Sequence, residues 1–303
     1  MDPTRGRQPA TYCDRVRLRP LLAAGAVAAA WPLVEAQLPV LRRVTVPVLP
    51  VGWAPLRVLH VSDLHLLPRH VRRAAWVRGL ARHRADLVVS TGDHVGSEAA
   101  FGLLASTLGA LVAGGVPAVV VPGNNDYFTP ITPSLLDYLR KDPPRRKRSP
   151  DIDWPAGLAR LVAAGWTDLT HQRVVLEVAG QPVVLTGTDD GHLRRDRYDL
   201  VRGPVDGFGI GVTHTPQARL LRAFAADGYA LVLAGHTHGG QLRVPGYGAV
   251  VTNSDLPRSR ARGLSRDAGG WLHVSAGLGS SPYLPVRVAC RPEATLLTLV
   301  AGS

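Results

Sequence analysis

The chain has 303 residues, of which 46% are apolar and 19% charged; this allows a large core and argues against wholesale disorder. Thirty-five basic residues against 23 acidic ones give a formal charge of +12, which favours anionic partners such as phosphate compounds, nucleic acid or acidic lipid. The two cysteines, Cys13 and Cys290, form no CxxC and no zinc-ribbon spacing, which argues against a disulfide framework and a thiolate metal site. The basic excess is mostly arginine and is scattered, so a coding bias accounts for it as well as an anionic ligand does.

Arg5, Arg7, Arg15, Arg17 and Arg19 precede an uncharged, Ala-rich run from Pro20 to Val34. That run is shorter than the ~20 residues a membrane span needs, but it has the length of a signal-peptide core. Residues 1–43 therefore read either as a basic and apolar signal-anchor or as a helix packed on the domain of residues 44–303. The first reading makes the protein membrane-associated or exported; the second leaves it cytoplasmic. Since the run ends before the first motif, the segment is expected to be dispensable for chemistry.

Val44–Val48 alternates like an edge strand, with Pro47 arguing against a central position. Leu56–Val61, Leu87–Val89 and Ala118–Val121 are short apolar strands. Val71–His83 and Ala99–Ala113 between them read as helices, the second closed by Gly114-Gly115. Thr129–Trp154, rich in Pro and charge, reads as a flexible surface insertion. Gly157–Ala164 is helical. Val174–Val178 and Pro182–Leu185 form a hairpin around Gly180-Gln181. Gly209–Val212, a helix over Gln217–Ala226 and Leu231–Ala234 follow. Short β-like runs lie at Trp271–Ser275, Val286–Ala289 and Thr295–Leu299. Repeated strand, loop and helix predict an α/β layered fold with its site at the carboxyl ends of the strands.

Five strand ends carry metal-binding side chains in order: Asp63-Leu64-His65, Gly92-Asp93, Gly123-Asn124, His214 and Gly235-His236-Thr237-His238. Carboxylate, amide and imidazole donors brought together from separate loops suit two adjacent divalent cations. An Asp-x-His turn alone would mean little; the ordered set carries the weight. No GxxxxGK nucleotide loop and no Ser/His/Asp triad explains the same residues.

These blocks, with Leu59–His65 and Gly235–Gln241 around them, resemble the calcineurin-like metallophosphoesterase superfamily, in its bacterial membrane- or wall-associated branch. The resemblance covers the chain from about Val44 onward. It implies an α/β fold: a four-layer sandwich of two mixed β-sheets flanked by helices. It also implies two divalent metal ions, manganese, iron or zinc. Asp63, His65 and His238 would hold the first, Asn124, His214 and His236 the second, and Asp93 would bridge them. The implied reaction is hydrolysis of phosphoester or pyrophosphate bonds by a hydroxide held between the metals. The implied substrates are phosphorylated small molecules or lipid-linked compounds.

Asn125 stands where the superfamily places a histidine that assists the leaving group. An amide can contact substrate but cannot deliver a proton near pH 7. His94, next to Asp93, is the substitute acid that sequence offers. Asp190, after the Pro182–Leu185 strand, either contacts substrate or closes a turn. Two other functions stay open: a catalytically weak phosphate-binding scaffold that keeps the metal site, which Asn125 allows, and a nuclease, which the scattered aromatics argue against.

Overall fold

The computed structural model describes residues 29–129, 149–267, 269–281 and 284–302. Two six-stranded sheets pack face to face. The first comprises β1 (Val40–Leu49), β14 (Glu293–Ala301), β2 (Leu56–Val61), β3 (Leu87–Thr91), β4 (Ala118–Val121) and β5 (Thr167–Asp168), in that spatial order. The second runs β12 (Gly263–Asp267), β13 (Gly270–Val274), β9 (Leu231–Ala234), β8 (Phe208–Val212), β7 (Gln181–Gly187) and β6 (Gln172–Val178). β2 to β5 are parallel to one another, and so are β7, β8, β9 and β13. β14, β6 and β12 each add an antiparallel pairing, so both sheets are mixed.

Strand alternation sorts the side chains into layers. In β2, Leu59 and Val61 face a core shared with the helices α1 (Val71–Arg78), α2 (Phe101–Val112) and α3 (Trp154–Ala163). Leu56 and Val58 face the other way, against Val183, Ile210 and Leu233 of the second sheet. A third core lies between the outer face of that sheet and α4 (Ala218–Ala226), around Phe224 and Leu272. Helix, sheet, sheet and helix make four layers. β1 lies at an edge, where Pro47 removes no ladder hydrogen bond from a central position.

Several local features depart from the expectations. The helix after His65 is α-helical only to Arg78 and continues as a 3₁₀ turn over Gly79–His83, ended by Arg84 at φ 47°. Val286–Ala289 forms no strand, only an isolated bridge between Leu242 and Val288. Its backbone has other partners: the Arg287 N–H donates to Pro32, while the Arg287 side chain turns wholly inward. The hairpin of β10 (Arg243–Val244) and β11 (Gly248–Ala249), together with β5 and β12, had no clear alternation to announce it.

Most of the expected insertion, residues 130–148, lies outside the described residues. Its final residues are not loose: Ile152 and Trp154 are buried in the first core.

Much of the Pro20–Val34 run also falls outside the described residues, and residues 29–35 are helical. Among the described residues, no helix is long and apolar enough to cross a membrane. The stretch before β1 docks on the domain. Buried Glu35 accepts the backbone N–H groups of Cys290 at 2.7 Å and Ala289 at 3.1 Å.

Candidate metal centre

Every expected donor sits just beyond the carboxyl end of a parallel strand. Asp63 and His65 follow β2, Asp93 follows β3, and Asn124 and Asn125 follow β4. From the second sheet, Asp190 follows β7, His214 follows β8, and His236 and His238 follow β9. Backbone bonds lace the loops together. Asp63 N–H donates to Gly92, His65 N–H to Asp93, and Gly235 N–H to His214, each at 2.9 Å.

Two groups of donors result. Asp63, His65, Asp93 and His238 form one; Asp190, His214 and His236 form the other. In the first, His65 Nε2 lies 3.2 Å from His238 Nε2, and His238 Nε2 lies 3.7 Å from Asp63 Oδ1. In the second, His236 Nδ1 lies 3.2 Å from His214 Nε2 and 3.1 Å from Asn124 Oδ1. One oxygen joins the groups: Asp93 Oδ2 is 3.4 Å from His65 Nε2 and 3.4 Å from His214 Nε2.

Three observations fit a pair of cations. Donors held at right angles about 2.1 Å from a cation stand about 3.0 Å apart, close to the spacings found. Imidazole, carboxylate and amide donors without thiolate suit manganese, iron or zinc. The His214 ring is also preset: its Nδ1 donates to the Thr91 carbonyl at 2.6 Å, leaving Nε2 directed at Asp93.

The electrostatics point the same way. Burial raises the Asp63 carboxyl to about 6. Burial also opposes ionisation of Asp93, but the adjacent His214, His65 and Asn125 outweigh it and hold that carboxyl well below the usual range. The converse applies to His214, where Asp93, Asp63 and Asp190 overcome the effect of burial and raise the ring well above 6.5. Burial lowers His65 to about 4 and takes His236 and His238 well below 6.5. These carboxylates demand positive charge, and in the metal-free protein a proton on His214 supplies part of it.

The backbone is strained where the donors sit. Asp63, His65, Asp93, His236 and His238 all have φ between 42° and 70°. For non-glycine residues this conformation costs about 1–3 kcal/mol each. Gly92 permits the close approach of the two sheets' loops: a Cβ there would stand 2.6 Å from both His214 Nδ1 and Gly123 N.

Asn125 is buried and turned to Asp93, donating its backbone N–H to Oδ1 and its side-chain amide to Oδ2. His94 is not a substitute acid. It is fully buried, with Nδ1 on Asp126 Oδ2 at 2.9 Å, Nε2 on Ser90 Oγ at 2.8 Å, and its ring stacked on Trp154. Alternation along the loop turns it away from the residue beside it. Asp190 is buried with the second group, accepting from Leu193 N–H at 2.7 Å and Thr215 Oγ at 2.6 Å. The turn and the site are therefore both its surroundings.

Sequence reasoning missed Asp126. Its carboxylate accepts from the N–H groups of His94, Val95 and Gly123, and so ties the loops after β3 and β4 together. Its place at the end of Gly123-Asn124-Asn125 was the available signal. His192, two residues after Asp190, places its half-exposed ring 5.1 Å from that of His236. Beside it, Arg195 donates to Asp189 at 2.9 Å and stacks 4.1 Å over Tyr127, whose hydroxyl also bonds Asp189.

Two facing sheets whose strand ends close a carboxylate between two donor groups define a binuclear metallophosphoesterase. The chain belongs to the calcineurin-like phosphoesterase family, whose profile matches residues 56–240. It is 26% identical over 254 residues to the phosphodiesterase YaeI of Escherichia coli K12, covering 82% of this chain and 83% of that one. It is 28% identical over 246 residues to the metallophosphoesterase YkoQ of Bacillus subtilis 168, covering 79% and 82%. Among solved structures, TT1561 of Thermus thermophilus aligns with a TM-score of 0.43 at 12% identity, over 74% of this chain and 91% of that one. The protein is thus a hydrolase acting on phosphoester bonds, and its cofactor is a pair of divalent metal ions.

Proposed function

We propose that this enzyme cleaves phosphodiesters or pyrophosphates, with Asp63, His65 and His238 holding one cation, Asn124, His214 and His236 the other, and Asp93 shared. The observation that supports this best is the single oxygen, Asp93 Oδ2, equidistant from His65 Nε2 and His214 Nε2. When bound, such a cation pair generates a nucleophile from water near neutral pH and neutralises charge on the phosphoryl oxygens.

The chain's own residues set the rest. Asn125 fixes the plane of the Asp93 carboxylate through two hydrogen bonds. Thr91 fixes the His214 tautomer through its carbonyl. Asp190, linked through Thr215 and the loop at Leu193, flanks the second cation site. Arg195, held by Asp189 next to Asp190, offers positive charge to an anionic substrate. With Asn125 bonded to Asp93 and His94 sealed away, leaving groups of low pKa are favoured: a phosphate in an anhydride, or an activated alcohol in a diester.

The test is turnover of monoesters, diesters and pyrophosphates by protein loaded with manganese, iron or zinc, alongside its metal content. Two metals per chain with preferential cleavage of diesters or anhydrides supports the reading. Equal rates on alkyl monoesters contradict it.

The segment before β1 bears on the setting. Trp31, Leu33 and Val34 at the end of the apolar run, and Leu38 just beyond it, are exposed. This favours contact of the N-terminal segment with lipid and a lipid-linked substrate. Sedimentation of the full chain with anionic vesicles tests it; a chain that stays in the supernatant refutes it.

A further inference from the structure

Behind Asp63, on the side away from the donors, a row of polar side chains runs into the middle of the sandwich. His60 shares the inter-sheet face of β2 with Leu56 and Val58. His273 occupies the inter-sheet face of β13, beside Trp271 in the register that puts Leu272 and Val274 on the outer face. The two rings meet across the sheets, with Nδ1 to Nδ1 at 2.9 Å. His60 Nε2 lies 2.9 Å from Thr91 Oγ1, Thr91 Oγ1 lies 2.7 Å from Ser62 Oγ, and Ser62 Oγ lies 2.5 Å from Asp63 Oδ2. All five residues are 0–1% exposed.

Such a row has only one consistent direction. A metal-binding carboxylate is ionised and can only accept, so the Ser62 hydroxyl must donate to it. The Ser62 oxygen then accepts from Thr91, and the Thr91 oxygen accepts from His60 Nε2–H. A neutral imidazole protonated at Nε2 has a bare Nδ1, so His273 must donate from Nδ1–H. Burial keeps both rings neutral: it takes His60 well below 6.5 and His273 to about 4.

We propose that His273, His60, Thr91 and Ser62 are positioning residues that deliver a one-way chain of hydrogen bonds to Asp63 Oδ2, leaving Oδ1 as the oxygen that binds metal. The His236 backbone N–H is shared between the two oxygens, at 3.1 Å from Oδ1 and 3.2 Å from Oδ2, so the oxygens differ in the Ser62 hydroxyl, which engages Oδ2, and in Oδ1 being the one facing His238 Nε2. Thr91 serves both donor groups, with its hydroxyl in this chain and its carbonyl on His214 Nδ1. An alternative acceptor for Ser62, the Thr91 carbonyl at 3.5 Å, is too distant to compete with the carboxylate. The inference rests on Asp63 being a metal ligand, as proposed above.

Two measurements test it. Histidine ring ¹⁵N NMR on the unaltered protein loaded with zinc should show His60 protonated at Nε2 and His273 at Nδ1. His60 protonated at Nδ1 overturns the proposal, whatever the variants do. Calorimetric titration with manganese alone should show Ser62→Ala, Thr91→Val and His60→Leu weakened by about 10–100-fold, as for other residues that support a metal ligand. Thr91→Ser and His60→Gln, which keep the donors, should recover most of the affinity. Unchanged affinity in folded Ser62→Ala and Thr91→Val overturns the positioning role. Asp63→Ala is the control for the underlying reading. If it binds manganese as tightly as the unaltered protein, the ligand assignment itself fails even where the tautomers agree.

Discussion

Asn125 gives Asp93 two hydrogen bonds, backbone N–H to Oδ1 and side-chain amide to Oδ2, each at 2.7 Å. The residue that stands in the place of a leaving-group acid is therefore engaged in orienting the shared carboxylate. General acid catalysis is worth about 10²–10⁴-fold, and poor leaving groups lose most without it. We expect rate to depend steeply on leaving-group pKa, and Asn125→His to speed alkyl substrates selectively. A linear free-energy series of aryl and alkyl esters measures this. A flat series in the unaltered enzyme would mean that another donor operates, with His192 the residue to replace.

Asp93 faces both donor groups, so its loss should affect both cations together. Asp93→Ala is expected to lower bound metal from two ions and to cut turnover by at least about 10³-fold, equivalent to about 4 kcal/mol of barrier. Metal analysis with single-turnover kinetics checks it. Retention of both metals and of turnover would remove Asp93 from the centre.

The buried rings make the metal-free protein acid-sensitive. His65 and His273 have folded values near 4 against about 6.5 unfolded, and His60, His236 and His238 are shifted in the same direction. Between those limits the unfolded chain binds more protons, so these groups lose stability as pH falls from 6.5 toward 4. Asp63, raised to about 6, acts oppositely: its protonation favours the folded state as pH falls from 6 to 4. His214 contributes its full stabilisation throughout this window, because its folded value is raised. Burial raises Asp190 as well, so it acts in the same sense as Asp63. The five histidines outnumber these two carboxylates, so net stability should fall as pH drops from 6.5 toward 4. Thermal unfolding from pH 8 to 4 measures it, and a flat profile would contradict the burial of these rings in their neutral form.

Removal of residues 1–40 should not be neutral, although no donor lies there. Glu35 is the partner of two backbone N–H groups in the loop before β14, at Ala289 and Cys290. Leaving a buried donor unpaired costs about 1–3 kcal/mol. A chain starting at Leu41 should unfold at a lower temperature than one starting at Ala29, with the same metal ligands in both. Equal melting temperatures would show that the segment only rests on the surface.

The order of strands and the donors at their ends were legible in the sequence, because short apolar runs break at Asp63, Asp93, Asn124, His214 and His236, and because a donor type is a property of its residue. What sequence could not decide was direction in space. Adjacent residues at a strand end point to opposite sides, so His94, next to Asp93, is sealed against Trp154 while Asp93 faces the histidines. The left-handed backbone at five of the donors leaves no mark in residue type, since none is glycine; the packed loops impose it. Nor does one strand announce its partner in another sheet. His60 and His273 are 213 residues apart and read singly as core histidines; only the packing of the two sheets brings their rings to 2.9 Å and makes them a path to Asp63. Sequence by itself determined which chemistry the chain can offer and in what order the strands present it. Tertiary structure alone decided which side chains converge, because convergence depends on strand parity, loop strain and sheet packing across long sequence separations.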